Sequence, residues 1–138
     1  MKTIYSFIAI SLISISSMAC PNFTGEWNCK SSQGETVKMN LNSINRDDYN
    51  MLMVVSDVGT KVQTTEALTL NVGKQQSKDY SYRANCKRDS IVIDFETALG
   101  PVTVVYTSLG NNEMLMSSSN KKVSNDKVMT CSKFYLLD

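Results

Sequence analysis

The chain has 138 residues, of which 14 are Lys or Arg, 13 are Asp or Glu and none is His. The lack of an imidazole excludes Ser-His-Asp and Cys-His catalysis, His metal ligation and His-based pH switching. The balanced charge gives no indication of nucleic acid or of an anionic membrane as a partner. We therefore expect a monomeric protein that is not an enzyme and carries no metal or other cofactor.

The first nineteen residues have the pattern of a secretory signal peptide. Lys2 supplies the positive start, residues 4–15 form an apolar run too short to span a bilayer, and small residues precede the cut at positions −3 and −1. We expect cleavage after Ala19, export to the periplasm or the cell exterior, and a single domain over residues 20–138. The alternative is a lipoprotein anchored at Cys20, the residue that would then be acylated.

From Cys20 onward, apolar and polar residues alternate with period two, and Gly, Asn, Asp and Ser interrupt the pattern at short intervals. This pattern predicts short strands and no helix. The connections span only a few residues, which favours an antiparallel meander, and a meander of about eight strands generally closes into a barrel. The expected fold is an all-β, antiparallel, up-and-down β-barrel. The predicted strands cover residues 23–30, 35–43, 49–56, 61–72, 78–87, 90–97, 102–108, 113–118 and 127–137.

Parity along these strands predicts which side chains face the barrel interior. In the third strand, the run 51–55 is apolar throughout, so Leu52 and Val54 break the alternation of the expected inward set. The polar stretch 117–125 is expected to be a solvated loop. The inward sets are Phe23, Gly25 and Trp27; Val37, Met39 and Leu41; Met51, Met53 and Val55; Ile91, Ile93 and Phe95; and Val102, Val104 and Tyr106.

Some of these inward residues are candidates for lining a binding cavity. Methionine thioethers suit an adaptable apolar pocket, although they fill an ordinary core equally well. A barrel of about eight strands is only just wide enough for side chains or one small ligand. A ligand carrier should contain an open apolar cavity of roughly 300 Å³ or more. The candidate ligand-lining residues are Trp27, Met39, Met51, Met53, Phe95 and Tyr106.

Four cysteines lie in the expected mature chain: Cys20, Cys29, Cys86 and Cys131. An even number in an exported protein predicts two disulfide bonds. Lipidation of Cys20 would leave an odd thiol, which argues against the lipoprotein alternative. If the first and last strands pair to close the barrel, Cys29 comes within reach of Cys131, and Cys20 is left to bond with Cys86. Four cysteines nevertheless allow three pairings, and the sequence alone does not choose between them.

Residues 22–27, Asn-Phe-Thr-Gly-Glu-Trp, resemble the G-x-W opening of the first strand in lipocalins and related calycins. The resemblance implies an up-and-down barrel whose interior can hold a small apolar ligand. It also implies that Gly25 permits close backbone approach and that Trp27 closes one end. Lipocalins place a late Arg over this Trp, where the present chain offers Lys133. Fatty-acid-binding proteins insert two helices after the first strand, for which residues 31–34 leave no room.

A second hypothesis is a periplasmic inhibitor or interaction module that binds a protein partner through loops at the barrel rim. Small bacterial lysozyme inhibitors are similar in size, in export and in having a first-strand Cys bonded to a last-strand Cys. Their S-G-x-x-Y loop is missing, because residues 77–82, Ser-Lys-Asp-Tyr-Ser-Tyr, share only a serine and tyrosines with it. The expected partner is therefore a small apolar molecule or another protein.

Asp94 and Glu96 lie two apart on one predicted strand face, a spacing that suits acid-base chemistry. An outer polar face explains the two carboxylates more simply. An enzyme would need a cleft whose carboxylates have strongly raised pKa values, and we expect none.

Overall fold

The computed structural model describes residues 20–46, 49–58, 62–110, 112–122 and 125–134. The expected signal peptide lies outside the described residues. Within these ranges the chain forms ten strands, and none of it is helical enough or apolar enough to cross a membrane as a helix. The strands are β1 (Gly25–Ser31), β2 (Thr36–Asn45), β3 (Asn50–Val58), β4 (Val62–Leu70), β5 (Gln75–Gln76), β6 (Ser81–Cys86), β7 (Ser90–Thr97), β8 (Gly100–Gly110), β9 (Glu113–Asn120) and β10 (Asn125–Lys133).

The ten strands make one antiparallel sheet in the order β4-β3-β2-β1-β10-β9-β8-β7-β6-β5. The first and last strands pair, with Trp27 opposite Lys133 and Cys29 opposite Cys131. The predicted all-β antiparallel barrel is confirmed, with ten strands where nine were predicted. The strand absent from the prediction is β5, whose two residues are too few to show any periodicity. The loop expected over residues 117–125 is shorter, because β9 continues to Asn120 and β10 begins at Asn125.

The sheet has two edges, at β4 and β5, and hydrogen bonds from the end of β4 to β6 nearly close the barrel there. The Asn71 N–H donates to the carbonyl of Ala84, and the Cys86 N–H donates to Asn71 Oδ1, both over 2.8 Å. The Thr69 N–H donates to the Tyr82 hydroxyl over 3.0 Å. These bonds satisfy backbone groups that an open edge would leave exposed.

The two ends of the barrel differ in packing. We call the end that holds the segment 20–24 and the turn 87–89 the closed end, and the end that holds the turns 32–35 and 98–99 the open end. At the closed end, the Phe23 ring lies 6.3 Å from the Tyr106 ring. Each large apolar side chain that is fully buried contributes about 1.5–3 kcal/mol. Across the barrel as a whole, the side chains with almost no exposed area are Phe23, Leu41, Leu52, Leu68, Ile91, Ile93, Met114 and Met129.

Both disulfide bonds follow from the way the barrel closes. Cys29 bonds to its cross-strand partner Cys131, which covalently joins β1 to β10. Cys20 bonds to Cys86 and ties the segment before β1 to the end of β6. This is the pairing that closure by the first and last strands suggested, and all four cysteines of the chain are used.

The inward parity predicted for β3 is wrong. Leu52 and Val54 are buried and face the interior, whereas Met51, Met53 and Val55 are half-buried on the outer side. In the β2–β3 pairing, Val54 stands opposite a buried leucine of β2. A continuous apolar run carries no alternation, and a shift of one residue exchanges the two faces of a strand. On β1, β2 and β7 the predicted inward parity is correct, because Trp27, Met39, Leu41, Ile91 and Ile93 are all buried.

Candidate ligand cavity

The open end of the barrel contains a cavity of about 210 Å³. Five strands, β2, β3, β4, β8 and β9, form its wall, and on each strand the lining residues alternate as the pleat requires. The volume falls short of the roughly 300 Å³ expected of a ligand carrier. The lining residues are Val37, Met39, Val54, Ser56, Glu66, Val104, Tyr106, Met116 and Ser118.

Two of the six candidate ligand-lining residues lie in this wall. Met39 projects from β2 and Tyr106 from β8, and both are buried. Met51 and Met53 face away from the cavity, because the inner face of β3 carries Leu52 and Val54 instead. The second methionine of the lining is Met116 on β9, which was not among the candidates. It shares the inner face of β9 with the buried Met114.

Trp27 lies in the core and outside the cavity lining. Its side chain is only 4% exposed, and its Nε1–H donates to the Phe23 carbonyl over 2.9 Å. Lys133, the cross-strand partner, places Nζ 5.4 Å from the Trp27 ring centroid, so a lysine covers the tryptophan where lipocalins have an arginine. A Cβ added at Gly25 would lie 2.5 Å from Lys133 Cε. The glycine of the G-x-W motif thus leaves room for the lysine to cross to the ring.

Phe95 belongs to an aromatic cluster with Tyr80 and Tyr82 beside the seam between β4 and β6. The Phe95 ring lies 5.5 Å from that of Tyr80 and 6.3 Å from that of Tyr82. The hydroxyl of Tyr82 bridges the seam to the Thr69 backbone. Phe95 therefore supports the seam, and it is absent from the cavity lining.

Glu66 is the one acidic residue among the lining residues. It pairs with Val54 across the β3–β4 ladder and shares its face with the buried Leu68 and Leu70. Its carboxyl makes no hydrogen bond or ion pair within the part of the chain that the structure describes. Burial raises the pKa of this carboxyl. The sequence did contain a signal for this position, because the parity of Leu68 and Leu70 places Glu66 on the inner face.

Two tyrosines experience the charge of Glu66. Burial raises the pKa of the Tyr106 hydroxyl, and the Glu66 carboxylate raises it further. Burial also raises the pKa of the Tyr80 hydroxyl, with a smaller contribution from Glu66. Both hydroxyls consequently stay protonated at neutral pH and can donate hydrogen bonds.

Asp94 and Glu96 belong to the outer polar face. Lys74 Nζ lies 2.9 Å from the Glu96 carboxylate, and the Ser81 hydroxyl donates to the same group over 3.2 Å. The hydrogen bond from Lys74 lowers the pKa of Glu96. The Thr103 hydroxyl donates to Asp94 over 2.7 Å. The hollow of about 290 Å³ beside these carboxylates is on the outer wall of the barrel.

A further hollow of about 300 Å³ also lies on the outer wall, against β1, β2 and β3. Its lining combines the buried Trp27 and Met39, two of the six candidate ligand-lining residues, with residues of the outer face and with Phe134. The outer-face residues are Glu26, Asn28, Lys38, Asn40 and Val55. Among the described residues, no group of three or more His, Cys, Asp or Glu could hold a metal ion.

No family model matches the chain, and no curated protein matches its sequence. Solved structures of the fluorescent protein UnaG do match its fold. An asparagine-to-alanine variant of UnaG is 12% identical, with a TM-score of 0.62 over 83% of this chain and 97% of that one. Wild-type UnaG is 11% identical, with a TM-score of 0.60 over 81% of this chain and 97% of that one. The chain therefore has a calycin-like β-barrel fold.

Proposed function

We propose that the protein is a non-enzymatic, exported barrel that binds a small apolar molecule in the cavity at its open end. The observation that carries this proposal is the contrast between the two ends. The closed end is packed with large side chains such as Phe23, Leu41 and Leu52, whereas the Val, Met, Tyr, Ser and Glu side chains of the cavity wall surround about 210 Å³ of unfilled space. Space that no side chain fills leaves its lining without packing partners, and a ligand that enters it would supply them.

The size of the cavity limits the ligand. Sites for drug-sized molecules usually measure roughly 300–1,000 Å³, and this cavity measures about 210 Å³. The ligand should therefore be smaller than most drug-sized molecules. Met39 and Met116 can change rotamer at low cost and adapt the wall to its shape.

The proposed export and processing rest on the N-terminal sequence and on the disulfide bonds. Disulfide bonds persist in oxidising compartments such as the periplasm and the cell exterior. The sulfur of Cys20 bonds to Cys86, and a lipid thioether would need the same atom. This bond supports cleavage after Ala19 without lipidation. The absence of histidine supports the non-enzymatic part of the proposal.

A pair of methionine-to-tryptophan substitutions tests the proposed site. Met39→Trp fills the cavity, whereas Met53→Trp adds the same ring to the outer face of the adjacent strand. Hexan-1-ol, titrated while amide chemical shifts are followed by NMR, should perturb the cavity wall in the wild type and in Met53→Trp. Met39→Trp should not respond. Unchanged binding by Met39→Trp, or shifts confined to the outer wall, would contradict the proposed function.

The second candidate function is binding of a protein partner at the open rim. Leu99, in the turn between β7 and β8, is 79% exposed, and an apolar side chain at a protruding turn can anchor a partner. A lysozyme activity assay tests this candidate. Inhibition by the wild type that Leu99→Ser abolishes would support rim binding, and no inhibition by the wild type would exclude lysozyme as the partner.

A further inference from the structure

Glu66 is unusual among the residues around it. The cavity wall is built mainly from Val, Met and Tyr side chains, and the residue opposite Glu66 on β3 is Val54. Its carboxylate has no hydrogen-bond or ion-pair partner among the described residues. A carboxylate in apolar surroundings is unfavourable unless a cation or a hydrogen-bond donor reaches it. Glu66 is half-buried, so water can reach its carboxylate in the ligand-free protein, and a bound molecule that displaces this water would have to supply the partner.

The groups that face Glu66 from other strands do not neutralise it. Tyr106 on β8 and Tyr80 before β6 experience its charge, and both carry neutral hydroxyls. Lys127 on β10 has inward parity at the mouth, opposite Ser118 in the β9–β10 pairing. The ammonium of Lys127 is ion-paired with Glu35. The cavity therefore keeps a net negative potential when Glu66 is ionised.

The remaining wall suits the two parts of an organic cation. Met39 and Met116 offer apolar contact to a hydrocarbon chain. Tyr106 offers a ring whose face attracts ammonium groups. A carboxylate ligand, in contrast, would be repelled by Glu66.

Building on the ligand-binding function proposed above, we propose that the cavity selects a small apolar amine and that Glu66 is the counter-ion of its ammonium group. The hydrocarbon part lies against the methionines and valines, and the ammonium N–H groups donate to the Glu66 carboxylate. The specificity is thus for a positively charged head group on a compact apolar body.

Three probes of equal chain length separate the head group from the apolar body: hexylamine, hexan-1-ol and hexanoate. NMR titrations at neutral pH should show hexylamine binding about 10- to 100-fold more tightly than hexan-1-ol, with hexanoate weakest, as expected for a charge-assisted hydrogen bond. Glu66→Gln should remove the preference for the amine and leave hexan-1-ol binding in place. Glu113→Gln, which neutralises an exposed carboxylate at the start of β9, is the matched control and should bind as the wild type does.

Each outcome of the experiment has a distinct meaning. Equal binding of hexylamine and hexan-1-ol by the wild type, or an amine preference that survives Glu66→Gln, overturns the amine proposal and leaves the proposed ligand site standing. Failure of all three probes to bind contradicts the proposed function itself. If Glu66→Gln does not fold, the pH dependence of the wild type decides. Hexylamine affinity should fall as acid protonates Glu66. An affinity that stays constant down to pH values well below the ordinary glutamate pKa would refute the proposal.

Discussion

Replacing Gly25 with alanine tests whether the G-x-W motif is a packing unit. The backbone at Gly25 has φ +146°, a conformation that L residues rarely adopt. The added Cβ would lie 2.5 Å from Lys133 Cε and 3.3 Å from Lys133 Cδ. Because Lys133 Nζ lies 5.4 Å from the Trp27 ring centroid, the methyl group must displace the lysine from the ring or distort β1.

The expected loss of stability has two parts. Placing alanine at a positive φ costs about 1–2 kcal/mol. Displacing Lys133 from Trp27 costs a further 0.5–2 kcal/mol or so, the usual range for a cation on an aromatic face. We therefore expect Gly25→Ala to lower the free energy of unfolding by about 1.5–4 kcal/mol. Gly34→Ala is the control, since Gly34 also has a positive φ, +85°, and its Cβ would meet nothing within 4 Å.

A double-mutant cycle isolates the contact with the lysine. When Lys133 is also replaced by alanine, the methyl group added at position 25 meets no long side chain. The loss of stability in the double variant should therefore be smaller than the sum of the two single losses, by about 0.5–2 kcal/mol. Urea unfolding followed by the fluorescence of Trp27, the only tryptophan, measures all the variants. Additive effects, or equal losses in Gly25→Ala and Gly34→Ala, would refute the reasoning.

Three further predictions concern the seams and the cavity. Replacing Cys29 and Cys131 together by alanine should lower the free energy of unfolding by about 4–5 kcal/mol, because their bond closes a loop of 102 residues; calorimetry showing a loss below about 1 kcal/mol would contradict the loop-closure account. Tyr82→Phe should cost about 1–3 kcal/mol in urea unfolding, because the Thr69 N–H loses its acceptor. Glu66→Gln should stabilise the ligand-free protein at neutral pH. The gain should shrink as the pH falls toward the ordinary glutamate pKa, because a raised pKa makes ionisation oppose folding above that value; parallel pH profiles of the two proteins would contradict it.

The sequence was most informative where alternation is strict and connections are short. On β7, Ile91 and Ile93 alternate with more exposed neighbours, and both strand and inward face could be predicted. Pairing of the first and last strands, which brings Cys29 to Cys131, followed from closure of a meander. The two-residue strand β5 could not be found, because its pairing with β6 depends on the path of the chain after β4 and leaves no periodic pattern.

The candidate site was only partly predictable. Met39 and Tyr106 lie on strands with clear alternation, so parity alone placed them on the inner face. Because the run of β3 is apolar throughout, its true inward pair, Leu52 and Val54, could not be identified. The part of the cavity wall beside Glu66 was therefore missed as well. The cavity volume depends on how far side chains from different strands reach toward each other. Period-two patterns along single strands carry no such information.

The distribution of charge on the inner face of the barrel links the fold to the proposed specificity. On β10, Lys133 has inward parity at the closed end, where its ammonium lies over the Trp27 ring. Lys127 has inward parity at the open rim, where it pairs with Glu35. Each inward lysine of β10 therefore already has a partner at its own end of the barrel. Glu66 lies between the two ends, and the side chains described around it offer it no cation. A ligand that brings a positive charge would relieve the cost of this carboxylate, and a neutral or anionic ligand would not.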